Sequence, residues 1–426
     1  MFDFSLSPEL EDLRSKVAAF IRDEVVPVER EATGHDGLPA ERMAALRERA
    51  RALGIYAPQI PREWGGLGLD MRSMAVVFEE AGRSLLGPSA LNCSAPDEGN
   101  MHLIELIGSP EQKERYLRPL VEGRIRSCFA MTEPPPGTGA DPSLLLTRAE
   151  RRGDGWVLNG EKWYSTGADG AAFAIVMART STDDAGRPRA AMFLVDTDNP
   201  GFRLVRRVPS LDEGIPGGHC ELELRECTVA ADAVLGEVDR GFAYAQARLA
   251  PARLTHCMRW LGVAQRAQEI AAGYASVRQS FGKTLSRHQM VQAMLADSAM
   301  ELHAARLMIW HAAWVLDTTG QGDTDAARHE TSLAKTYVAE TVNRVVDRAL
   351  QICGSSGISE DLPLAGFYRA VRPFRIYDGP SEVHRGVVAR SVLKAAARQA
   401  SASSVGAAEG VRAGRGSQSA AEGSPA

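Results

Sequence analysis

The stretch Arg375-Ile-Tyr-Asp378-Gly-Pro-Ser-Glu382-Val-His-Arg385 interrupts a long run of helix-forming sequence. Asp-Gly-Pro is a strong turn signal, because glycine takes backbone angles that other residues avoid and proline cannot continue a helix. A new helix is predicted to start at Ser381, directly after the turn. A carboxylate at such a turn can face a cavity, although the same tripeptide also makes plain surface turns. Asp378 is therefore a candidate functional residue whose role depends on the rest of the chain.

Long helices are predicted on the amino-terminal side of this turn. The segments 285–317 and 329–353 carry apolar residues at three- and four-residue spacing, and residues 242–280 show more of the same pattern. We therefore predict a four-helix bundle over residues 241–397. The Ala/Ser/Gly-rich residues 398–426 contain almost no large apolar side chains and are predicted to be disordered.

The middle of the chain has a different pattern, which predicts a small β-domain over residues 128–240. Strands are expected at 172–178, 191–195, 202–208 and 221–224, where short apolar and β-branched runs occur. Asn159-Gly160, between 156–158 and 161–164, predicts a tight hairpin turn.

Residues 1–127 predict a helical domain, with helices near 43–53 and 71–85. The predicted fold class is therefore α+β: an N-terminal helical domain, a β-barrel-like middle domain and a C-terminal four-helix bundle.

Composition excludes several classes of function. The 426 residues carry a net charge of -5, which gives no electrostatic case for binding nucleic acid or an anionic membrane. No apolar run approaches the ~20 residues of a membrane span, and the amino terminus does not resemble a signal peptide. The six cysteines are scattered and the nine histidines form no metal-ligand motif. We expect reduced thiols, no metal and a cytoplasmic location.

Five motifs occur in one order along the chain. They are Met131-Thr132-Glu-Pro, Lys162-Trp-Tyr164-Ser165-Thr166-Gly, Arg278-Gln-Ser-Phe281-Gly-Lys, Gln351-Ile-Cys-Gly354-Ser355-Ser-Gly and Tyr377-Asp378-Gly. Each is weak alone, but the series on a helix/β/helix pattern resembles the acyl-CoA dehydrogenase family over residues 1–396. Asn92-Cys-Ser-Ala-Pro-Asp97 and Asp378-Gly-Pro-Ser-Glu-Val-His384 further resemble the subgroup of family members ten and eleven.

The resemblance implies a reaction. In this family a carboxylate removes the α-proton of an acyl-CoA thioester while the β-hydrogen leaves as hydride to N5 of FAD. The developing enolate needs stabilising hydrogen bonds, because the α-proton of a thioester is only weakly acidic. Asp378 aligns with the family's catalytic glutamate and is shorter by one C–C bond, ~1.5 Å. The alternative family position for a base is Ala252 here, so that position supplies no carboxylate.

The resemblance also implies sites for the FAD and the substrate. Met131, Thr132, Tyr164, Ser165 and Thr166 would line the isoalloxazine, and Thr138 is the candidate contact to the pyrophosphate. The adenine and pyrophosphate end would be held, on a neighbouring subunit, by Arg278, Phe281, Gln351, Gly354 and Ser355. Glu382 either lies beside the flavin or is a plain helix-start carboxylate. Arg253 would bind substrate near the thioester, although the acidic residue common three positions earlier is Ala250.

These implications lead to one main hypothesis and two rivals. We expect an FAD-dependent acyl-CoA dehydrogenase of fatty acid metabolism, a homodimer or homotetramer that passes electrons to an electron-transferring flavoprotein. One rival is a flavin-dependent oxidase on the same fold, similar to nitroalkane oxidase or to an acyl-thioester oxidase. The other is a non-catalytic flavoprotein relative, or a helical-bundle interaction protein. Oxygen consumption during turnover would distinguish an oxidase from a dehydrogenase. Bound FAD that no thioester bleaches would indicate the non-catalytic protein.

Overall fold

The order of secondary structure in a computed structural model follows the predicted helical, β and helical sequence of parts. The structure describes residues 4–32, 36–212, 214–319 and 324–416, and side chains through residue 398. The α+β fold class predicted from the sequence is confirmed. The domain boundaries themselves stay a prediction.

The N-terminal part consists of short helices around a shared apolar core. Its helices are α1 Pro8–Phe20, α2 Ala40–Ala52, α3 Met71–Ala81, α4 Gly87–Ala90, α5 Asp97–Ile107, α6 Pro110–Gln112 and α7 Arg118–Val121. Side-chain caps start several of them. The Ser7 hydroxyl accepts a hydrogen bond from the backbone N–H of Leu10, and the Asp70 carboxylate accepts one from Ser73.

The middle part is one eight-stranded sheet. Its strands are β1 Ser127–Ala130, β2 Arg148–Arg152, β3 Gly155–Thr166, β4 Phe173–Thr182, β5 Pro188–Asp196, β6 Phe202–Arg207, β7 His219–Val229 and β8 Val234–Leu235. The strand order is β6-β7-β3-β2-β4-β5-β8, and β1 pairs with β4 in parallel. The four strands expected beyond the hairpin correspond to β4, β5, β6 and β7.

The hairpin predicted at Asn159-Gly160 is wrong. Both residues lie inside β3, and the turn that joins β2 to β3 lies at 153–154, where Gly153 has a φ of 60°. The pairing of β3 with β7 shifts between Leu158 and Gly160, so the Asn-Gly pair marks a bulge rather than a turn. Gly160 is required there because a Cβ would lie 2.6 Å from the Thr147 hydroxyl oxygen.

The C-terminal part is built on three long helices that pack on one another and a fourth that packs against the third of them. The helices are α8 Gly241–Val277, α9 Gln289–Thr319, α10 Asp325–Cys353, α11 Ser355–Ile358, α12 Leu364–Val371 and α13 Ser381–Gly416. Strands β9 Gln279–Ser280 and β10 Lys283–Thr284 form a small ribbon after α8. Helix α13 continues past residue 398, where the predicted disordered tail begins, and residues 417–426 of that tail lie outside the described residues.

The N- and C-terminal helices share one core at a crossing where two glycines allow the backbones to touch. A Cβ on Gly82 would lie 2.0 Å from the carbonyl oxygen of Arg259, and one on Gly262 would lie 2.0 Å from that of Glu79. Since any side chain would force the two helices apart, these glycines set the distance between α3 and α8. This contact fixes α8, which carries one wall of the site described next.

Among the described residues, no helix is long and apolar enough to cross a membrane. Within the same ranges, no group of three or more His, Cys, Asp or Glu residues could hold a metal ion. All six cysteines are buried free thiols.

Candidate active site

One large cavity lies where the three parts of the chain meet, with a volume of about 3150 Å³. Residues from the N-terminal helices, the sheet, α8 and the turn before α13 all line it. The predicted site residues on its wall are Met131, Thr132, Tyr164, Thr166, Arg253 and Asp378. The predicted base and part of the predicted flavin wall thus face one cavity.

The turn that carries Asp378 has an unusual backbone. Asp378 has a φ of 53°, in the left-handed region that costs a residue with a Cβ about 1–2 kcal/mol. The buried ammonium of Lys335, from α10, donates to the carbonyl oxygens of Phe374 at 2.8 Å and Gly379 at 2.7 Å. These two hydrogen bonds bracket the strained residue, and burial lowers the pKa of Lys335 to about 8.

Two further donors hold the carbonyl of Asp378 itself. Nε of Arg253, on α8, donates to that oxygen at 2.9 Å, and Nε2 of His384, on α13, lies 3.0 Å from it. Nδ1 of His384 lies 3.1 Å from the hydroxyl of Ser332 on α10. Burial lowers the pKa of His384 to about 4, so the ring is neutral and can donate through Nε2. Three helices therefore pin the backbone of one turn.

The side-chain carboxylate of Asp378 lies beside an imidazole. Nε2 of His256, one turn beyond Arg253 on α8, is 3.4 Å from Oδ2 of Asp378. The hydroxyl of Tyr377 is 3.4 Å from Nδ1 of the same ring and accepts a hydrogen bond from Nε1 of Trp260 at 2.6 Å. Burial raises the pKa of Tyr377 well above its ordinary value, so its hydroxyl keeps the proton.

Buried positive charge surrounds this carboxylate. Nε of Arg248 donates to the Asn100 amide oxygen at 2.9 Å, and its guanidinium carbon lies 4.1 Å from the centre of the Phe129 ring. Burial lowers the pKa of both Arg248 and Arg253, while the negative charge of Asp378 acts in the opposite direction. The site therefore presents cationic groups where negative charge can develop.

Two other carboxylates on the cavity wall already have partners. Asp97 accepts hydrogen bonds from the backbone N–H and the hydroxyl of Ser127, at 2.8 and 2.6 Å. Glu98 accepts one from the Thr255 hydroxyl at 3.1 Å and lies 3.6 Å from Nη1 of Arg259. Among the residues that the structure describes, the side-chain carboxylate of Asp378 has only the His256 ring at a comparable distance.

The opposite wall comes from an irregularity in the sheet. The pairing of β3 with β7 shifts again between Lys162 and Ser165, and Tyr164 inside this bulge has a φ of 51° and is 43% exposed. The Thr166 hydroxyl lies 2.9 Å from Nδ1 of His219. A bulge re-aims side chains, and here it brings an aromatic ring and a hydroxyl to the cavity.

A buried ion pair holds the loop beneath that wall. The ammonium of Lys162 donates to the Glu133 carboxylate at 2.9 Å and to the Met131 carbonyl at 3.1 Å. Glu133 also accepts from the backbone N–H groups of Leu146 and Thr147, at 2.7 and 2.8 Å. Burial lowers the pKa of Lys162 to about 8, and Glu133 partly offsets this. The pair ties both ends of loop 131–147 to β3.

The remaining predicted site residues are not brought to the cavity of the single chain. The side chains of Thr138 and Ser165 are buried within the β-domain, and Phe281, in the ribbon after α8, is 95% exposed. The others lie on exposed surface, namely Arg278, Gln351, Gly354, Ser355 and Glu382. Their assignment to FAD stays a prediction.

Sequence reasoning missed several polar residues that surround Asp378. They are Arg248, His256, Trp260, Lys335, Tyr377 and His384, of which Tyr377 and His384 stand in the quoted motifs without a role of their own. One signal was available, because Arg248, His256 and Arg259 recur at helical spacing on the buried face of α8. Charged and polar side chains at such positions are uncommon unless they are paired or functional.

The chain matches known proteins over nearly its whole length. Three families match, described as the acyl-CoA dehydrogenase N-terminal domain over residues 7–124, the middle domain over 128–227 and the C-terminal domain over 239–393. The chain is 37% identical over 405 residues to the probable acyl-CoA dehydrogenase FadE2 of Mycobacterium tuberculosis, covering 92% of this chain and 97% of that one.

Another relative is longer. Acyl-CoA dehydrogenase family member 11 of Gallus gallus is 37% identical over 403 residues, and the match covers 91% of this chain but only 51% of that protein. The chain thus spans about half the length of this relative. A solved structure of a glutaryl-CoA dehydrogenase from Mycobacterium smegmatis in complex with FADH2 superposes with a TM-score of 0.78 at 26% identity, covering 91% of this chain and 95% of that one.

The buried pair beneath the sheet wall generates a prediction. Lys162→Met leaves the Glu133 carboxylate buried without its cation, so we expect a loss of about 3–5 kcal/mol in the free energy of unfolding. Bound flavin should also fall, since loop 131–147 loses its tie to β3. Thermal unfolding and flavin absorbance after purification measure the two effects.

The matched control is Lys16→Met, whose ammonium makes an exposed pair with Asp12 and should change stability little. The double variant Glu133→Gln/Lys162→Met should regain part of the lost stability, because no lone charge remains. A Lys162→Met protein that is as stable and as flavin-loaded as the wild type would contradict the role of the Lys162–Glu133 pair in holding loop 131–147.

Proposed function

The chain belongs to the acyl-CoA dehydrogenase family, and on that premise we propose that it desaturates an acyl-CoA thioester with Asp378 as the base that removes the α-proton. One observation supports this most: Asp378 is the cavity-wall carboxylate set on a strained turn, with its backbone pinned by donors from three helices. Its side chain, unlike those of Asp97 and Glu98, is not committed to a structural partner of that kind.

The electrostatics of the cavity suit this role. Loss of the α-proton leaves an enolate whose negative charge must be stabilised. Arg248 and Arg253 lie close enough to Asp378 to interact with its charge, and they remain there when the carboxylate becomes neutral by taking up the proton. Their positive charge then favours the negative charge on the thioester oxygen.

The shorter aspartate requires a compensating position of its backbone. A base displaced by about 1 Å can lose ~100-fold in rate. The turn of Asp378 is held by hydrogen bonds to the carbonyls at 374, 378 and 379, so its position is set by the packing of α8, α10 and α13 rather than by the loop alone. This arrangement is consistent with a pocket built around aspartate. The cavity-facing Ala252 provides no second base.

The residues of the opposite wall fit FAD. A cavity of about 3150 Å³ exceeds the ~300–1,000 Å³ of ordinary small-molecule sites and has room for a dinucleotide beside a thioester. The bulge at Tyr164 brings the planar ring and the Thr166 hydroxyl to the wall, and Met131 and Thr132 lie next to them. FAD bound there would supply the hydride acceptor of the reaction.

The adenine end of FAD is proposed to reach a second copy of the chain. Arg278 and Phe281 lie on the exposed ribbon segment after α8, and Gln351, Gly354 and Ser355 lie at the exposed end of α10. An exposed aromatic ring next to an arginine suits a phosphate and a base that arrive from a neighbouring subunit. We therefore propose a homo-oligomer, with Thr138 and Ser165 acting through backbone groups and Glu382 remaining a candidate flavin neighbour.

An electron-transferring flavoprotein is the proposed acceptor of the electrons. A flavin-dependent oxidase on the same fold would use the same base and cofactor and reduce oxygen instead. Oxygen consumption during turnover in air, measured with an oxygen electrode with and without an artificial electron acceptor, distinguishes the dehydrogenase from the oxidase. A dehydrogenase consumes little oxygen and depends on the added acceptor.

Replacing the proposed base gives the first prediction of this function. Asp378→Asn is nearly isosteric, so the protein should fold, retain FAD and bind acyl-CoA. The amide cannot accept the α-proton, so anaerobic flavin reduction should fall by about 10⁴-fold or more. Stopped-flow absorbance of the flavin measures the rate. Near-normal bleaching would remove Asp378 from the role of base.

A second prediction concerns Arg278, the proposed contact from a neighbouring subunit to the phosphates of FAD. Arg278→Ala should purify with less FAD, because a charge-assisted contact to phosphate is lost. Arg287→Ala, on the same exposed surface but outside the motif, is the control. The ratio of flavin to protein absorbance reports occupancy. Equal occupancy in both variants would exclude Arg278 from the site.

A further inference from the structure

Behind the carboxylate of Asp378, three side chains form a continuous polar line. Nε1 of Trp260 is 2.6 Å from the Tyr377 hydroxyl oxygen, which is 3.4 Å from Nδ1 of His256. Nε2 of His256 is 3.4 Å from Oδ2 of Asp378. Trp260 and His256 lie one helical turn apart on α8, so both reach the turn of Asp378 from the same side.

The direction of the protons along this line follows from the chemistry of its first member. An indole N–H only donates, so the Tyr377 oxygen accepts from Trp260. The single hydroxyl proton of Tyr377 is then left to donate to Nδ1 of His256. A neutral imidazole whose Nδ1 accepts carries its proton on Nε2. That nitrogen is the one next to Asp378.

We propose that His256 is a positioning residue for Asp378, with its tautomer set by Tyr377 and Trp260, so that its Nε2–H holds one carboxylate oxygen and leaves the other free for the α-proton. The inference rests on the proposed function, because it assigns to His256 the orientation of the proposed base. No proton passes to His256 in the reaction. The α-proton goes to the oxygen of Asp378 that His256 does not hold.

The surroundings of His256 keep the ring neutral. Its own helix brings Arg248 and Arg259 towards it, α10 brings Lys335, and the turn brings Asp378 and Tyr377. Burial, followed by the positive charges of Arg259, Arg248 and Lys335, lowers the pKa of His256 well below its ordinary value.

Neutrality matters for the chemistry. An imidazolium in contact with Asp378 would form an ion pair and make the carboxylate a weaker base. A neutral N–H orients the carboxylate while leaving it able to accept a proton. Fixing one oxygen also removes rotation about the terminal side-chain bond, which is the freedom that would otherwise spread the position of the base.

The first test determines the tautomer of the His256 ring. Histidine-selective ¹⁵N labelling of the holoprotein, with His256→Gln identifying the signal among the nine histidines, reports which ring nitrogen carries the proton. The expected result is a neutral ring protonated on Nε2 from pH 6 to pH 8. In Tyr377→Phe the Nδ1 partner is gone, so the preference for that tautomer should weaken. A ring that is charged in this range, or protonated on Nδ1, overturns the proposal.

The second test measures how replacing His256 changes the rate and the pH profile of flavin reduction. His256→Leu keeps the volume and removes the donor, so anaerobic flavin reduction should slow roughly 10-fold to 100-fold. The pH profile of reduction should also move to higher pH, because the carboxylate loses the neighbouring N–H that favours its charged form. In His256→Gln the side-chain amide can reach the position of Nε2, so much of the rate should return.

The two failures are distinguishable. If wild-type flavin is not reduced by any acyl-CoA, the proposed function fails whatever His256 does. If wild-type flavin is reduced but His256→Leu keeps the wild-type rate and pH profile, only the role of His256 fails. Equal losses in Leu and Gln with an unchanged pH profile indicate a packing role and also overturn the proposal.

Discussion

The site depends on one constraint: a residue with a side chain is held in the left-handed backbone region at Asp378. Such a conformation costs about 1–2 kcal/mol and persists only when its surroundings define it. The carbonyls of Phe374 and Gly379 both accept from Lys335 on α10. The carbonyl of Asp378 accepts from Arg253 on α8 and from His384 on α13. These helices must therefore converge correctly for the carboxylate to reach the cavity, and the glycine crossing of α3 and α8 fixes one of them.

The buried positive groups around Asp378 have a structural role and an electrostatic role. Lys335 and Arg253 satisfy main-chain carbonyls, which compensates part of the cost of removing them from water. The same charges, with Arg248, make the region around Asp378 favourable for a developing anion. The same side chains thus support the turn and favour the developing negative charge. A variant of one of them that loses activity must therefore also be checked for loss of stability.

Much of the fold could be predicted from the sequence, because helical periodicity and turn residues are local signals. The long helices α8–α10, the β-domain and the Asp378 turn followed from such signals. The Asn159-Gly160 hairpin was wrong, since an Asn-Gly pair also suits a bulge and only the pairing with β7 decides between them. The line from Trp260 to Tyr377 and His256 joins residues more than 100 positions apart, so no local pattern could indicate it. The contacts proposed between FAD and Arg278 and Phe281 would involve a second copy of the chain, so a single sequence pattern carries no geometry for them.

In the proposed reaction, Asp378 takes an α-proton from a bound acyl-CoA as the flavin is reduced. Anaerobic mixing of the FAD-loaded protein with a panel of acyl-CoAs, each with hydrogen or deuterium at the α-carbon, tests it most directly. We expect full bleaching of the flavin by at least one thioester, with slower bleaching of the α-deuterated form. Binding of the thioesters without bleaching, or bleaching at a rate that α-deuteration leaves unchanged at every pH, would contradict it.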